Sequence, residues 1–127
     1  MAEGWRCSTR ASAPARARCA ALRVPGAREL PARLIAPGHG EPFTGHVGII
    51  DRLLAFYEKR QARLLELLAE GPQTPAQLAP RVFPHARPSQ LYLTLSEVMG
   101  NLEVLEERGC VRREERSGRI VFLRELG

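Results

Sequence analysis

Ile50, Leu53, Leu54, Tyr57, Gln61, Leu64, Leu65 and Leu68 recur at helical spacing, while Asp51, Arg52, Glu58, Lys59, Arg60, Arg63, Glu66 and Glu70 fill the positions between them. No other pattern in the chain restricts its folding as much. It predicts an amphipathic helix from about Val47 to Glu70 whose apolar face needs a core. Gly71-Pro72 ends that helix, because glycine accepts a left-handed backbone and proline cannot continue the ladder. Thr74-Pro75-Ala76-Gln77 places a hydroxyl at N-cap, proline at N1 and an amide at N3. That is a capping box, and it opens a short helix running to about Val82.

A third helix is expected from near Ser89 to Gly109, with Leu91, Leu95, Val98, Leu102 and Leu105 inward. Cys110–Glu114 and Arg119–Leu123 flank Arg116-Ser117-Gly118, the composition of a tight hairpin. Helix, short helix, helix and hairpin, in that order, predict a mainly α domain with a small β-hairpin, a winged helix-turn-helix, over residues 47–125.

The 127 residues suit one modest domain, and no run of apolar residues is long enough to cross a membrane. No secretory signal is expected, which makes the cytoplasm the default compartment. The formal charge of +5 is carried by seven arginines against two glutamates between Met1 and Arg33; the remainder balances. Residues 1–30 hold too few apolar side chains to offset the entropy of ordering, so they read as a disordered or non-native basic tail. Cys7, Cys19 and Cys110 are odd in number and lack CxxC spacing, so they read as free thiols.

Between tail and helix lies Leu34–Phe43, LIAPGHGEPF: a short strand at 33–36 followed by a rigid Pro- and Gly-bounded loop. Together with FYEKRQARLLELL and the ending NLEVLEERGCVRRE, this segment resembles the C-terminal end of a metallo-beta-lactamase-fold hydrolase. The likeness is to the beta-lactamase-like subgroup that carries an appended winged-helix domain. It implies that residues 31–46 are a strand and PGHG loop left from an αββα fold. It also implies that His39 occupies the position of the last ligand of a two-zinc hydrolytic site. The chain departs from the family at Lys59, Leu64, Asn101 and Val104, and in lacking the His-x-His-x-Asp-His motif. Its histidines are His39, His46 and His85, and its one aspartate is Asp51. The latter two histidines read as solvated.

No catalytic or cofactor-binding residue is therefore assigned. His39 marks an incomplete metal position, zinc belongs to the parent family, and none is expected on this chain alone. The resemblance implies a catalytic domain that is missing or separately encoded, whose active site the winged helix closes over, aiding choice of an ester, thioester or phosphodiester. Two rivals follow from the residues. One is a nucleic-acid binder using Arg112, Arg113, Arg116 and Arg119 on the hairpin, since the third helix carries Glu97, Glu103, Glu106 and Glu107 and no Lys or Arg. The other is an interaction module that self-associates or pairs through Leu34, Ile35 and Phe43.

Overall fold

The computed structural model describes residues 26–126; most of the expected tail, residues 1–25, lies outside them. Helix α1 spans His46–Leu68. It starts after Gly45, whose φ of 76° turns the chain into the helix at a position where a side chain would be strained. Helix α2 spans Pro75–Val82 and opens on the expected capping box: Thr74 Oγ1 accepts from the Gln77 amide at 3.2 Å, and the Thr74 amide donates to Gln77 Oε1 at 2.9 Å. Thr74→Ala removes one half of this exchange and is expected to cost about 1 kcal/mol of unfolding free energy in urea titrations.

A 3₁₀ turn at Pro88–Gln90 leads into helix α3, Leu91–Glu107, which stops before Gly109 with φ 71°. Strands β1, Val111–Arg116, and β2, Arg119–Arg124, pair antiparallel with Arg113 opposite Phe122 and Arg116 opposite Arg119. Ser117 and Gly118 both have positive φ, 51° and 71°, as the type I′ turn that matches strand twist requires. Gln73, between α1 and α2, adds a single antiparallel bridge to Phe122 on the free side of β2, with N to O distances of 3.2 and 2.8 Å. Its side chain turns back to donate to the Leu67 carbonyl at 2.6 Å, a second bond to an acceptor that the Glu70 amide also reaches at 3.2 Å.

The core gathers Leu64, Leu65, Leu67 and Leu68 of α1, Leu78 and Ala79 of α2, Val98, Leu102 and Leu105 of α3, and Cys110, Val111 and Phe122 of the hairpin region. It begins at Gln61. Four expectations need correction. Ile50, Leu53, Leu54 and Tyr57, placed on the buried stripe, are half-buried or exposed, because α2, α3 and the hairpin all pack on the C-terminal half of α1. Leu91, placed on the inner face of α3, is exposed in the first turn of that helix, where nothing packs over it. Residues 33–36 form no strand of a sheet. Ile35 and Phe43 make one bridge, N to O 2.8 and 2.9 Å. Pro37 lacks the N–H that the next bonded pair would need, and Gly45 bends the chain away at the other end. Cys110 is buried and disulfide-bonded, so the free-thiol reading fails for that residue.

Candidate functional site

The Ile35–Phe43 bridge closes a loop whose tip is Gly38-His39-Gly40, with Pro37 and Pro42 stiffening its two arms and Gly40 at φ 95°. His39 is exposed on that tip. His46 begins α1, and its Nε2 is buried without a hydrogen-bond partner among the described residues, contrary to the solvated reading. His85 is exposed in the loop after α2. The structure thus leaves the three imidazoles on separate elements. Asp51 is committed elsewhere: Arg28 Nε donates to Oδ1 at 2.7 Å and Nη2 to Oδ2 at 3.3 Å, which holds the Asp51 carboxyl below its ordinary value.

A two-metal hydrolytic centre needs several imidazoles and a carboxylate converging within a few ångströms. Among the described residues no three His, Cys, Asp or Glu side chains come together in that way. The donors present do not fit such a centre, and His39 can contribute at most one ligand to it.

Glu70 makes a fork with Arg81, Nη1 to Oε2 2.6 Å and Nη2 to Oε1 2.8 Å, and this bonding also lowers its carboxyl. Both Asp51 and Glu70 titrate lower when folded than unfolded, so their contribution to stability is present above their ordinary values of 3.8 and 4.5 and is lost as pH falls through the depressed folded values. Thermal midpoints are expected to decline across that acid range, and Glu70→Gln is expected to flatten the decline slightly, both pairs being exposed.

Sequence reasoning missed two polar constellations. Gln61 and Asn101 are both buried, and Gln61 Nε2 donates to Asn101 Oδ1 at 3.2 Å. Asn101 Nδ2 donates to the Glu97 carbonyl at 3.0 Å and Arg108 Nη1 to Gln61 Oε1 at 2.9 Å, so the side-chain amides of α1 and α3 are joined by a network. One residue before Gln61, the Arg60 guanidinium stacks between the rings of Phe56 and Phe83, each centroid 4.2 Å away, and pairs with Glu97. The available signal was Phe56 four residues before Arg60, a spacing that puts both on one helix face. Phe83 and Glu97 also line a groove of about 450 Å³ with Val82, His85, Leu93 and Thr94.

The hairpin arginines are held by glutamates. Arg113 grips Glu106 of α3 through Nε, at 2.8 and 3.0 Å from the two oxygens. Arg112 meets Glu114 at 2.6 Å and Glu125 at 3.1 Å, and Arg116 meets Glu114 at 2.8 Å. Of the four candidate phosphate contacts, Arg119 is the one without a carboxylate partner among the described residues. The surplus of positive charge along the hairpin is therefore reduced by Glu106 and Glu125, which flank it in sequence.

Apolar side chains are exposed in two places. Leu34, leading into the His39 loop, is 62% exposed, and along α1 Ile49, Leu53 and Phe56 are 39%, 36% and 48% exposed. Ile35 and Phe43, which close the loop, are half-buried.

No family model matches the chain. Its fold is similar to a beta-lactamase domain protein from Burkholderia ambifaria, with TM-score 0.74, 29% identity, and coverage of 86% of this chain and 34% of that one. It is also similar to the metallo-beta-lactamase family protein TTHA1429 from Thermus thermophilus, with TM-score 0.65, 27% identity, and coverage of 83% and 32%. Both of these neighbours are metallo-beta-lactamase domain proteins, and the likeness covers about a third of each. In sequence it is 35% identical over 83 residues to "Probable metallo-hydrolase YqjP" of Bacillus subtilis strain 168, covering 65% of this chain and 26% of that protein. It thus spans between a quarter and a third of the length of the relatives it matches. None of its helices, among the described residues, is long and apolar enough to cross a membrane.

Proposed function

We propose that this chain is the winged-helix part of a metallo-beta-lactamase-like, metal-dependent hydrolase acting in the cytoplasm. The element order, with Gln73 as a short first strand against β2, supports the winged-helix reading. The module docks on a catalytic body through the exposed half of α1 and the His39 loop, closes over the mouth of the active site and helps to select an ester, thioester or phosphodiester substrate. His39 supplies one ligand to zinc, the other ligands coming from the body, and the chain by itself does not catalyse. The observation that carries this is the row of exposed apolar side chains on α1 in a chain similar to about a third of two larger metallo-beta-lactamase proteins.

A hybrid tests it, with residues 34–126 replacing the matching segment of the Bacillus subtilis relative. The hybrid is expected to fold and retain zinc after dialysis, and His39→Ala to weaken that retention by more than the roughly 10–100-fold that outer-shell partners are worth. The isolated 127-residue chain is expected to bind zinc no tighter than a single surface imidazole would. Tight zinc on the isolated chain with ester turnover, or a hybrid indifferent to His39→Ala, overturns the reading. The nucleic-acid alternative through Arg112, Arg113, Arg116 and Arg119 is disfavoured by the glutamates that already hold three of them, since freeing each would oppose the counterion release that drives such binding.

A further inference from the structure

Ile49, Leu53, Phe56 and Arg60 follow one another at intervals of four, three and four residues, so they form a single ridge along α1. Arg60 is tied down by Phe83 and Glu97 at the inner end, which leaves Ile49, Leu53 and Phe56 as the exposed apolar part. At a turn of 100° per residue, Arg52 and Lys59 fall along one edge of that ridge. Both are exposed, and neither makes an ion pair among the described residues. The other edge is uncharged and half-buried, formed by Ile50, Leu54 and Tyr57. Asp51 and Glu58 point to the opposite side of the helix.

We infer that this face is built for a partner surface that presents an apolar patch with an acidic edge, and that it rejects a second copy of the chain. The inference rests on the docking reading above and names the chemistry of the surface that is docked against. Two copies laid antiparallel, ridge on ridge, bring Arg52 and Lys59 of one against Lys59 and Arg52 of the other. Like charges then meet at both ends of a contact whose centre would otherwise attract. A partner bearing carboxylates at those places turns both repulsions into ion pairs and fixes the direction in which the helices lie.

The chain can supply its own acidic-edged probe. Arg52→Glu/Lys59→Glu changes only exposed side chains, keeps the ridge, and again repels itself. Sedimentation of the wild type and of the variant, each alone, is expected to show monomers over a concentration range in which their equimolar mixture forms a 1:1 complex. The mixed complex is expected to be tighter than either self-association by about tenfold, the sum of several exposed pairs each worth little. It is also expected to weaken as salt rises from about 50 to about 500 mM. Leu53→Ser in either copy is expected to abolish it while leaving the unfolding midpoint nearly unchanged. A wild type that dimerises as tightly as the mixture, a mixture that stays monomeric, or a complex indifferent to salt overturns the inference. The hybrid experiment reads zinc retention instead, so a failure there leaves this result separately interpretable.

Discussion

Phe122→Ala is expected to remove most of the stability of the domain. Phe122 is fully buried in the core cluster to which the hairpin and all three helices contribute, and its backbone makes the Gln73 bridge. Truncating a buried phenylalanine costs about 3–5 kcal/mol through lost transfer energy and the cavity left behind. A domain of this size is stable by only about 5–15 kcal/mol, and one whose core begins two thirds of the way along its first helix belongs near the bottom of that range. Both rims of the residue would suffer, since Phe122 also bonds Gln73 through its backbone and carries the Arg113 guanidinium 5.4 Å above its ring. Loss of the cooperative urea transition is the expected reading. A midpoint within about 1 kcal/mol of wild type would show that the core tolerates a cavity there.

The second large effect is expected at Asn101. Asn101→Leu deprives Gln61 Nε2 of its acceptor inside the core and leaves the Glu97 carbonyl without a side-chain donor. An unpaired buried amide costs about 1–3 kcal/mol. Gln61→Leu alone strands Asn101 and removes the acceptor of Arg108 in the same way. The double change to leucine is expected to cost less than the sum of the singles, because neither amide is left orphaned. Strict additivity in denaturant titrations would show that the two side chains do not act as a pair.

Much of the module was legible in the residues. The periodic stripe and its Gly-Pro terminator placed α1 within two residues at each end, and the Thr74–Gln77 spacing identified a capping box that the structure forms in full. Arg116-Ser117-Gly118 located the hairpin turn. Period alone cannot tell which half of an amphipathic stripe receives neighbours, so Leu53 and Leu64 look equivalent in sequence while one is exposed and the other is in the core. Reading Arg112, Arg113, Arg116 and Arg119 as phosphate contacts missed that Glu106 and Glu125, just outside the hairpin, reach back to Arg113 and Arg112. The His39 loop was recognisable from its prolines and glycines, but its pairing was not, because one bridge leaves no alternating pattern. The Gln61–Asn101 contact joins residues forty positions apart, and only the packing of α1 on α3 brings them together.

Helix α1 runs for 23 residues, about 35 Å, yet only its last third is gripped by the core. Its two ends accordingly answer to different clocks. Backbone amides from Gln61 onward exchange with solvent only when the whole module opens, whereas those near Ile49 are released by local fraying. The module can thus complete its own folding from the last third of α1 onward, while the earlier turns rest mainly on their own backbone ladder.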